Sequence, residues 1–438
     1  MNSDKQQNSK SLRYSTINGI FASAMTGFAN EYLTPFLLLL GGTVRQVGIL
    51  NAFPNIAASL IQLKSADLTE RLQSRKKIVT LFAFVQGIIL LILTTIAILK
   101  GITPFLFIVL MVLFASCSAL INPAWGSWLS ELVDKSKRGE FFGWRNKTLG
   151  LIITASAFIA GLILHLMKRI NVFYGFAILF GFAFLFRMVG LRFLREIDEP
   201  QLTNKKGHQF SFLQFLSRFR ESNFAKFVLF VSAMSFSVNL ASPYFAVLML
   251  KDLRFSYLLY TIMVVSSTLT LNLAMTRWGR YADKIGNIRI IQFTSPLIGI
   301  IPLLWVINRH PTFLVFAQVF SGLIWAGFNL CTSNFIYDAV TPEKRTRCIA
   351  YFNVLNGLAL SFGALLGGFI LRSLPPLFGY RILTLFLISS IFRIFVGTYF
   401  PWRLKEVRPV EKINSSQLFF GMINTRAILG VERKTIRY

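Results

Sequence analysis

Long apolar runs separated by short polar connections dominate the pattern of this chain. Alternating strands and soluble-type amphipathic stripes play little part in it. Crossing a bilayer as a helix takes about 20 mostly apolar residues. Runs of that order recur at about 15–40, 46–63, 78–99, 103–130, 147–167, 171–191, 224–250, 256–276, 290–307, 312–336, 349–371 and 380–400. The pattern predicts an all-α polytopic membrane protein with twelve transmembrane helices. Its expected organisation is an N-terminal tail (1–14), a six-helix bundle (15–191), a polar linker (192–223), a second six-helix bundle (224–401) and a C-terminal tail (402–438). The first apolar run is long and lacks a small-residue cleavage site, so it reads as an uncleaved anchor. In the tail, Ser415–Val431 carries Leu418, Phe419, Phe420, Met422, Ile423, Ile428 and Leu429. That spacing allows an amphipathic helix on the membrane surface, and a partly ordered tail is an equal alternative.

The two bundles are copies. Sliding the sequence by 207 positions lays Asn122–Leu164 on Asn329–Leu371 without a gap, and eleven of the 43 pairs are identical. They include Asn122/Asn329, Lys137/Lys344, Arg138/Arg345, Asn146/Asn353, Gly150/Gly357, Ala157/Ala364 and Gly161/Gly368, with Glu131/Asp338 as a similar pair. Apolar coincidences are expected by composition alone, but the charged and amide matches in one register are not. A repeat of this length is half of a duplicated membrane protein, not a solenoid unit.

Composition agrees: the chain is 54% hydrophobic with a mean hydropathy of +0.58, too apolar for a soluble globule of its length. The formal charge of +28 would suggest nucleic acid in a soluble protein. Here its distribution says otherwise. Of 46 Lys and Arg, 35 fall at the termini and the connections after even-numbered helices, nine after odd-numbered helices and two (Arg187 and Arg393) within helices. The positive-inside rule then puts both termini in the cytoplasm and the protein in the cytoplasmic membrane, with no nucleic-acid partner. Cys117, Cys331 and Cys348 have no ligand spacing, and His165, His208 and His310 are scattered. No metal site or cofactor is expected. No GxSxG, Walker or HExxH pattern is present, so enzymes of those classes are not indicated.

Gly279-Arg-Tyr-Ala-Asp283-Lys284-Ile-Gly286-Asn-Ile-Arg289, between the eighth and ninth helices, resembles the signature loop of the major facilitator superfamily, G-x-x-x-D-R/K-x-G followed by basic residues. The first-half counterpart keeps Glu70 and Arg71, with Ala66 and Gln73 where the family usually has Gly. The segments around Glu131–Arg138 and Asp338–Arg345 resemble the family's loops there. The resemblance covers the whole chain and implies a two-bundle carrier that works by alternating access. The drug-antiporter run is absent from the fifth helix, and the sugar-porter sequence is absent after the sixth, so no subfamily is indicated.

Two groups of residues carry the expected function. Glu70, Arg71, Glu131, Arg138, Gly279, Asp283, Lys284, Gly286, Arg289, Asp338 and Arg345 sit at helix ends, where acid and base could pair across the bundles as a cytoplasmic latch. Exposed pairs are worth about 0–1 kcal/mol each, weak enough to break when the bundles rock. A substrate cavity near mid-membrane would draw on the helix-embedded polar residues Asn30, Glu31, Asn51, Asn55, Asn122, Asn239, Asn272 and Asn329. Trp125, Trp128 and Trp325 would supply flat walls. For each Asn the alternative is an interhelical hydrogen bond. Glu31, the one carboxylate well inside an apolar run, is a candidate proton-coupling or gating group. Arg187 and Arg393 are expected to snorkel or pair with acids in the connections. The expected function is secondary transport of a small solute by a monomer, with protons as the candidate coupling ion. A lipid or amphiphile translocator of the same fold, or a non-transporting sensor, is the alternative.

Overall fold

The computed structural model describes residues 2–63, 74–101, 103–133, 138–200, 222–340 and 342–407. Among them run twelve helical segments. They are α1 (Asn2–Ala29, continued by a 3-10 turn Asn30–Tyr32 and by Leu33–Leu39), α2 (Val44–Leu63), α3 (Arg75–Leu99), α4 (Pro104–Leu132), α5 (Arg138–Met167) and α6 (Val172–Arg195). The second set is α7 (Asn223–Asn239, continued by Tyr244–Val247 and a π turn Leu248–Asp252), α8 (Tyr257–Ile285), α9 (Asn287–Ile307), α10 (Pro311–Ala339), α11 (Pro342–Ile370) and α12 (Arg381–Tyr399). Ten segments are apolar and long enough to cross a membrane. The other two are α1, interrupted at Asn30–Tyr32, and α2, diluted by Arg45, Gln46, Asn51, Asn55 and Gln62.

Helix starts follow from capping. Ser74, Thr103, Ser222 and Ser256 each accept a backbone N–H three residues on, and Asn171 accepts one two residues on. Such caps satisfy donors that a helix's first turn leaves orphaned. Several helices outrun the lengths expected from sequence. α1 begins at Asn2, not near residue 15, because residues 2–14 hold no breaker and Ser11 ties it to the segment after α6, its hydroxyl donating to Asp198 at 2.9 Å. The signature segment is helix and not loop. Gly279–Ile285 completes α8, and the turn into α9 is a single residue, Gly286, at φ +90°. The linker and the tail also begin later than expected, since Glu196–Pro200 and residues 401–407 fold back on their own bundles. Glu70, Arg71, residues 201–221 and Ser415–Val431 lie outside the described residues.

The helices close into a ring. Reading round it, α2 packs on α4, α4 on α3, α3 on α6, α6 on α1, and α1 on α5. Then α5 packs on α8, α8 on α10, α10 on α9, α9 on α12, α12 on α7, α7 on α11, and α11 back on α2. Adding six to each helix number maps the ring onto itself, which is the 207-residue repeat written in packing. Among the described residues, only α2–α11 and α5–α8 join the halves by extensive helix-on-helix packing.

The ring has two ends. One, the basic end, carries the chain terminus at Asn2 and the connections after even-numbered helices; the other is the far end. At the far end a single buried cluster runs through both halves, from Met25, Phe28 and Phe36 to Tyr244, Tyr260 and Phe386. At the basic end the core splits: Ile78, Trp128 and Leu194 belong to one cluster, and Trp278, Ile285 and Phe335 to another. Among the described residues the halves are welded at the far end, and their buried cores are separate at the basic end.

Candidate functional site

The far-end weld is built on a break in α1. Proline has no N–H for the carbonyl four residues back, so Pro35 frees the carbonyl of Glu31. Tyr260 of α8 donates its hydroxyl to that carbonyl at 2.8 Å. Tyr32 donates to the Ala157 carbonyl of α5 at 2.5 Å and lies 3.0 Å from Thr261 Oγ1 of α8. In the second half Tyr244, also just past a break, donates to the carbonyl of Ala364, the repeat mate of Ala157, at 2.6 Å. Along the seams small residues let polar groups come close. Gly161 faces Thr261, and its mate Gly368 faces the Tyr244 hydroxyl. Gly150 faces Asn272, and its mate Gly357 faces Ser59. Ser361 donates to the Ala52 carbonyl at 3.0 Å across α2–α11.

Asn122 and Asn329 occupy equivalent places on α4 and α10. Both are exposed and make no side-chain hydrogen bond among the described residues. Nine residues, about 2.5 turns, separate Asn122 from the outward-facing Leu113, so the amide lies on the opposite side of α4. One turn on, Gly126 and its mate Ser333 are exposed too. These four repeat-matched positions face the space between the halves. Trp125 and Trp325 are half-buried beside them.

The remaining cavity candidates do not gather there. Asn51, Asn55 and Asn239 each donate back to the carbonyl four residues earlier, to Val47, Asn51 and Ser235, so the expected interhelical bonds are not what they make. Asn272 does bridge helices, donating to Thr154 at 3.4 Å across the α5–α8 seam. Asn30 is exposed at the far-end turn. Glu31 is half-buried there, its carboxylate without a hydrogen bond or ion pair among the described residues. Trp128 is no cavity wall: it is fully buried in its own bundle, donating to the Asp198 carbonyl at 2.8 Å.

Arg187 and Arg393 are buried rather than snorkelling, and neither meets an acid among the described residues. Arg187 reaches Gln86 Oε1 at 2.5 Å and the Ala83 carbonyl at 3.3 Å. Arg393 takes Ser389 Oγ and the carbonyls of Val238 and Ile298. Each is buried inside its own half, where dipoles satisfy a charge that lipid would penalise.

Two of the expected latch acids, Glu131 and Asp338, bond within their own bundles. Arg75, at the start of α3 and 1% exposed, pairs with Glu131 at 2.8 Å. Glu199 lies 3.7 Å from the Arg75 guanidinium and accepts its backbone N–H at 2.5 Å. In the second half Asn287 opens α9 and donates to Asp338 at 2.9 Å, while Glu406 accepts the N–H of Ile288 at 2.8 Å. Glu131 and Asp338 therefore make these bonds within their bundles, not across them as expected. Asp283 and Lys284 are exposed in the last turn of α8, Gly279 is half-buried in the same helix, and Arg289 is half-buried in α9. Arg138 and Arg345 lie in the first turns of α5 and α11, and their side chains are outside the described residues. Glu199 and Glu406 were missed at sequence level, though their spacing of 207 was there to be seen.

Two six-helix bundles with repeat-related packing, a weld at one end and polar residues facing the gap define a membrane transporter of the two-bundle carrier class. The Major Facilitator Superfamily model matches residues 19–307 and 227–430, and the chain belongs to that superfamily. It is 22% identical over 386 residues to an uncharacterised MFS-type transporter of Methanocaldococcus jannaschii, covering 85% of this chain and 92% of that relative. Among solved structures it is similar to the nucleoside transporter NupG, with TM-score 0.69 and 14% identity over 90% of this chain and all of that one. The human organic anion transporter MFSD10 gives 0.62 and 14%, over 89% and 98%. A bacterial homologue of the human lysosomal transporter Spinster gives 0.59 and 12%, over 91% and 97%. At these identities the neighbours speak for the fold.

Proposed function

We propose that this protein is a secondary carrier that moves a small solute by alternating access, held here in the state open at the basic end. One observation carries the reading: the buried core is continuous through both halves at the far end and divides into one cluster per half at the basic end. With the positive-inside rule placing the basic end in the cytoplasm, the state is inward-facing. Substrate would bind between α4 and α10 at Asn122 and Asn329, and Asp283, Arg289 and their neighbours would close the basic end in the opposite state. Proton coupling would fall to Glu31. Its support is a carboxylate with no partner among the described residues, one residue from the Tyr32 clasp that opens and closes with the far end.

The test has two stages. Purified protein is screened against a solute library by thermal shift, since a ligand at 100 times its Kd stabilises by about 2.7 kcal/mol. Each hit is then measured for counterflow in proteoliposomes. Exchange above protein-free vesicles is expected. Ligands that stabilise the protein but never exchange would assign it a sensing role instead.

A further inference from the structure

The N-terminal half buries a cation that no acid among the described residues answers. Arg145 of α5 is 8% exposed, yet its guanidinium makes no hydrogen bond or ion pair among the described residues, and its Nε is sealed from solvent with no acceptor. Its surroundings are Gly19 of α1, where Nη2 fills the space a Cβ would need, Leu149 of its own helix, and the ring of Trp125 on α4, 6.0 Å from Cζ. A cation–π contact returns only part of what burying an ion costs. Among the described residues the side chain has no negative partner.

Its direction follows from the ring. α5 and α4 are not neighbours, so an α5 side chain that passes α1 to reach α4 crosses the open side of the N-terminal arc, the side facing the other half. Asn122 lies one turn from Trp125 on that surface. The repeat supplies an internal control. Phe352 stands at the position of Arg145, and Thr332 at that of Trp125. Phe352 stacks with Phe227 of α7 at 6.5 Å. The second half fills the same place with aromatic carbon, so packing alone asks for no charge there.

We infer that Arg145, with Trp125 and Asn122, binds the anionic group of a small organic anion, a carboxylate or a phosphate monoester. A guanidinium presents parallel N–H donors that match either oxyanion. The Trp125 face would take the apolar body, and the Asn122 amide a second polar group. This rests on the carrier reading and names the class of its cargo. Arg145 lies seven residues into α5, roughly 10 Å from the basic end at 1.5 Å per residue, within reach of a solute entering there.

The probes are benzoate, phenyl phosphate and the neutral benzamide, tested on purified full-length protein at matched ionic strength. Benzoate or phenyl phosphate should raise the Tm where benzamide does not, and whichever does so separates carboxylate from phosphate. R145Q should lose the shift and R145K should keep part of it, each compared with its own ligand-free Tm. In the unmutated protein, the same anion should slow phenylglyoxal modification of Arg145 read by mass spectrometry. Anions no better than benzamide, an anion shift retained in R145Q, or unprotected labelling would overturn the site. An anion that binds through Arg145 yet never exchanges in proteoliposomes would keep the site and sink the carrier reading.

Discussion

Glu199 and Glu406 stand 207 residues apart and perform the same task. Each follows the last helix of its bundle and turns back to accept a backbone N–H at the start of that bundle's third helix, from Arg75 and Ile288. A carboxylate at a helix N-terminus meets unpaired N–H groups and the positive end of the helix dipole. Around each the repeat adds an acid from the fourth helix, Glu131 or Asp338. The charges at the basic end thus tie the third, fourth and sixth helices of each bundle together at that end.

The Glu406 cap makes the two signature glycines unequal. Gly286 has φ +90°, and a Cβ there would collide with the Glu406 carboxylate, while a Cβ at Gly279 would meet only Leu330 at 3.7 Å. Gly286→Ala should cost about 1–3 kcal/mol and lower the Tm. Gly279→Ala should leave it nearly unchanged. Thermal unfolding of the purified variants checks the order, and equal effects would contradict it.

Arg75 and Glu131 should differ as well, because the arginine is 1% and the glutamate 38% exposed. Arg75 also serves Ser127 and the Pro200 carbonyl. Arg75→Ala should destabilise by about 1–3 kcal/mol, and Glu131→Ala by less, because water replaces part of what it loses. A larger loss in Glu131→Ala would place the cluster's weight elsewhere.

Asn122→Ala and Asn329→Ala remove exposed amides with no hydrogen bond among the described residues, so the Tm should be retained while counterflow of an identified ligand falls. Asn272→Ala removes a bond across the α5–α8 seam, so stability and the balance of the two states should move instead. Intact counterflow in both of the first two variants would remove them from the substrate path.

Much of this was legible in the sequence. Hydropathy gave the twelve segments, and the 207-residue register gave the two halves, since bilayer length and duplication both write themselves into spacing. Side-chain partners did not read out. Asn51, Asn55 and Asn239 satisfy themselves on their own helices, a choice that residue type leaves open. Arg187 and Arg393 found carbonyls, not acids. Arg145 was hidden because a basic residue near a helix start counts as topogenic until its burial is known. Helix ends at Asn2 and Ile285 were missed because polar helical turns beyond the membrane leave no hydropathy signal.

Glu31→Gln mimics a permanently protonated side chain. If Glu31 couples protons, the variant should lose accumulation driven by an imposed pH gradient and keep counterflow, because exchange does not need the proton to return alone. Paired proteoliposome measurements decide. Loss of both would make Glu31 structural, and retention of both would put coupling elsewhere or nowhere.

The most direct test of alternating access asks whether loosening the far end closes the basic end. Spin labels at Asn146 of α5 and Thr276 of α8 report the basic end, and labels at Lys168 and Lys251 the far end; all four positions are exposed. Distances are measured in nanodiscs by double electron–electron resonance, with and without the pair Tyr32→Phe and Tyr260→Phe. These changes delete two hydroxyl contacts between the halves, to Thr261 and to the Glu31 carbonyl, along with the bond from Tyr32 to Ala157 inside the first half. At about 0.5–1.5 kcal/mol per bond, the two should shift the equilibrium between states by roughly 5–150-fold. The account predicts a growing short-distance population at the basic end, matched by a growing long-distance population at the far end. Distributions that stay fixed at both ends, or that move at one end only, would contradict it.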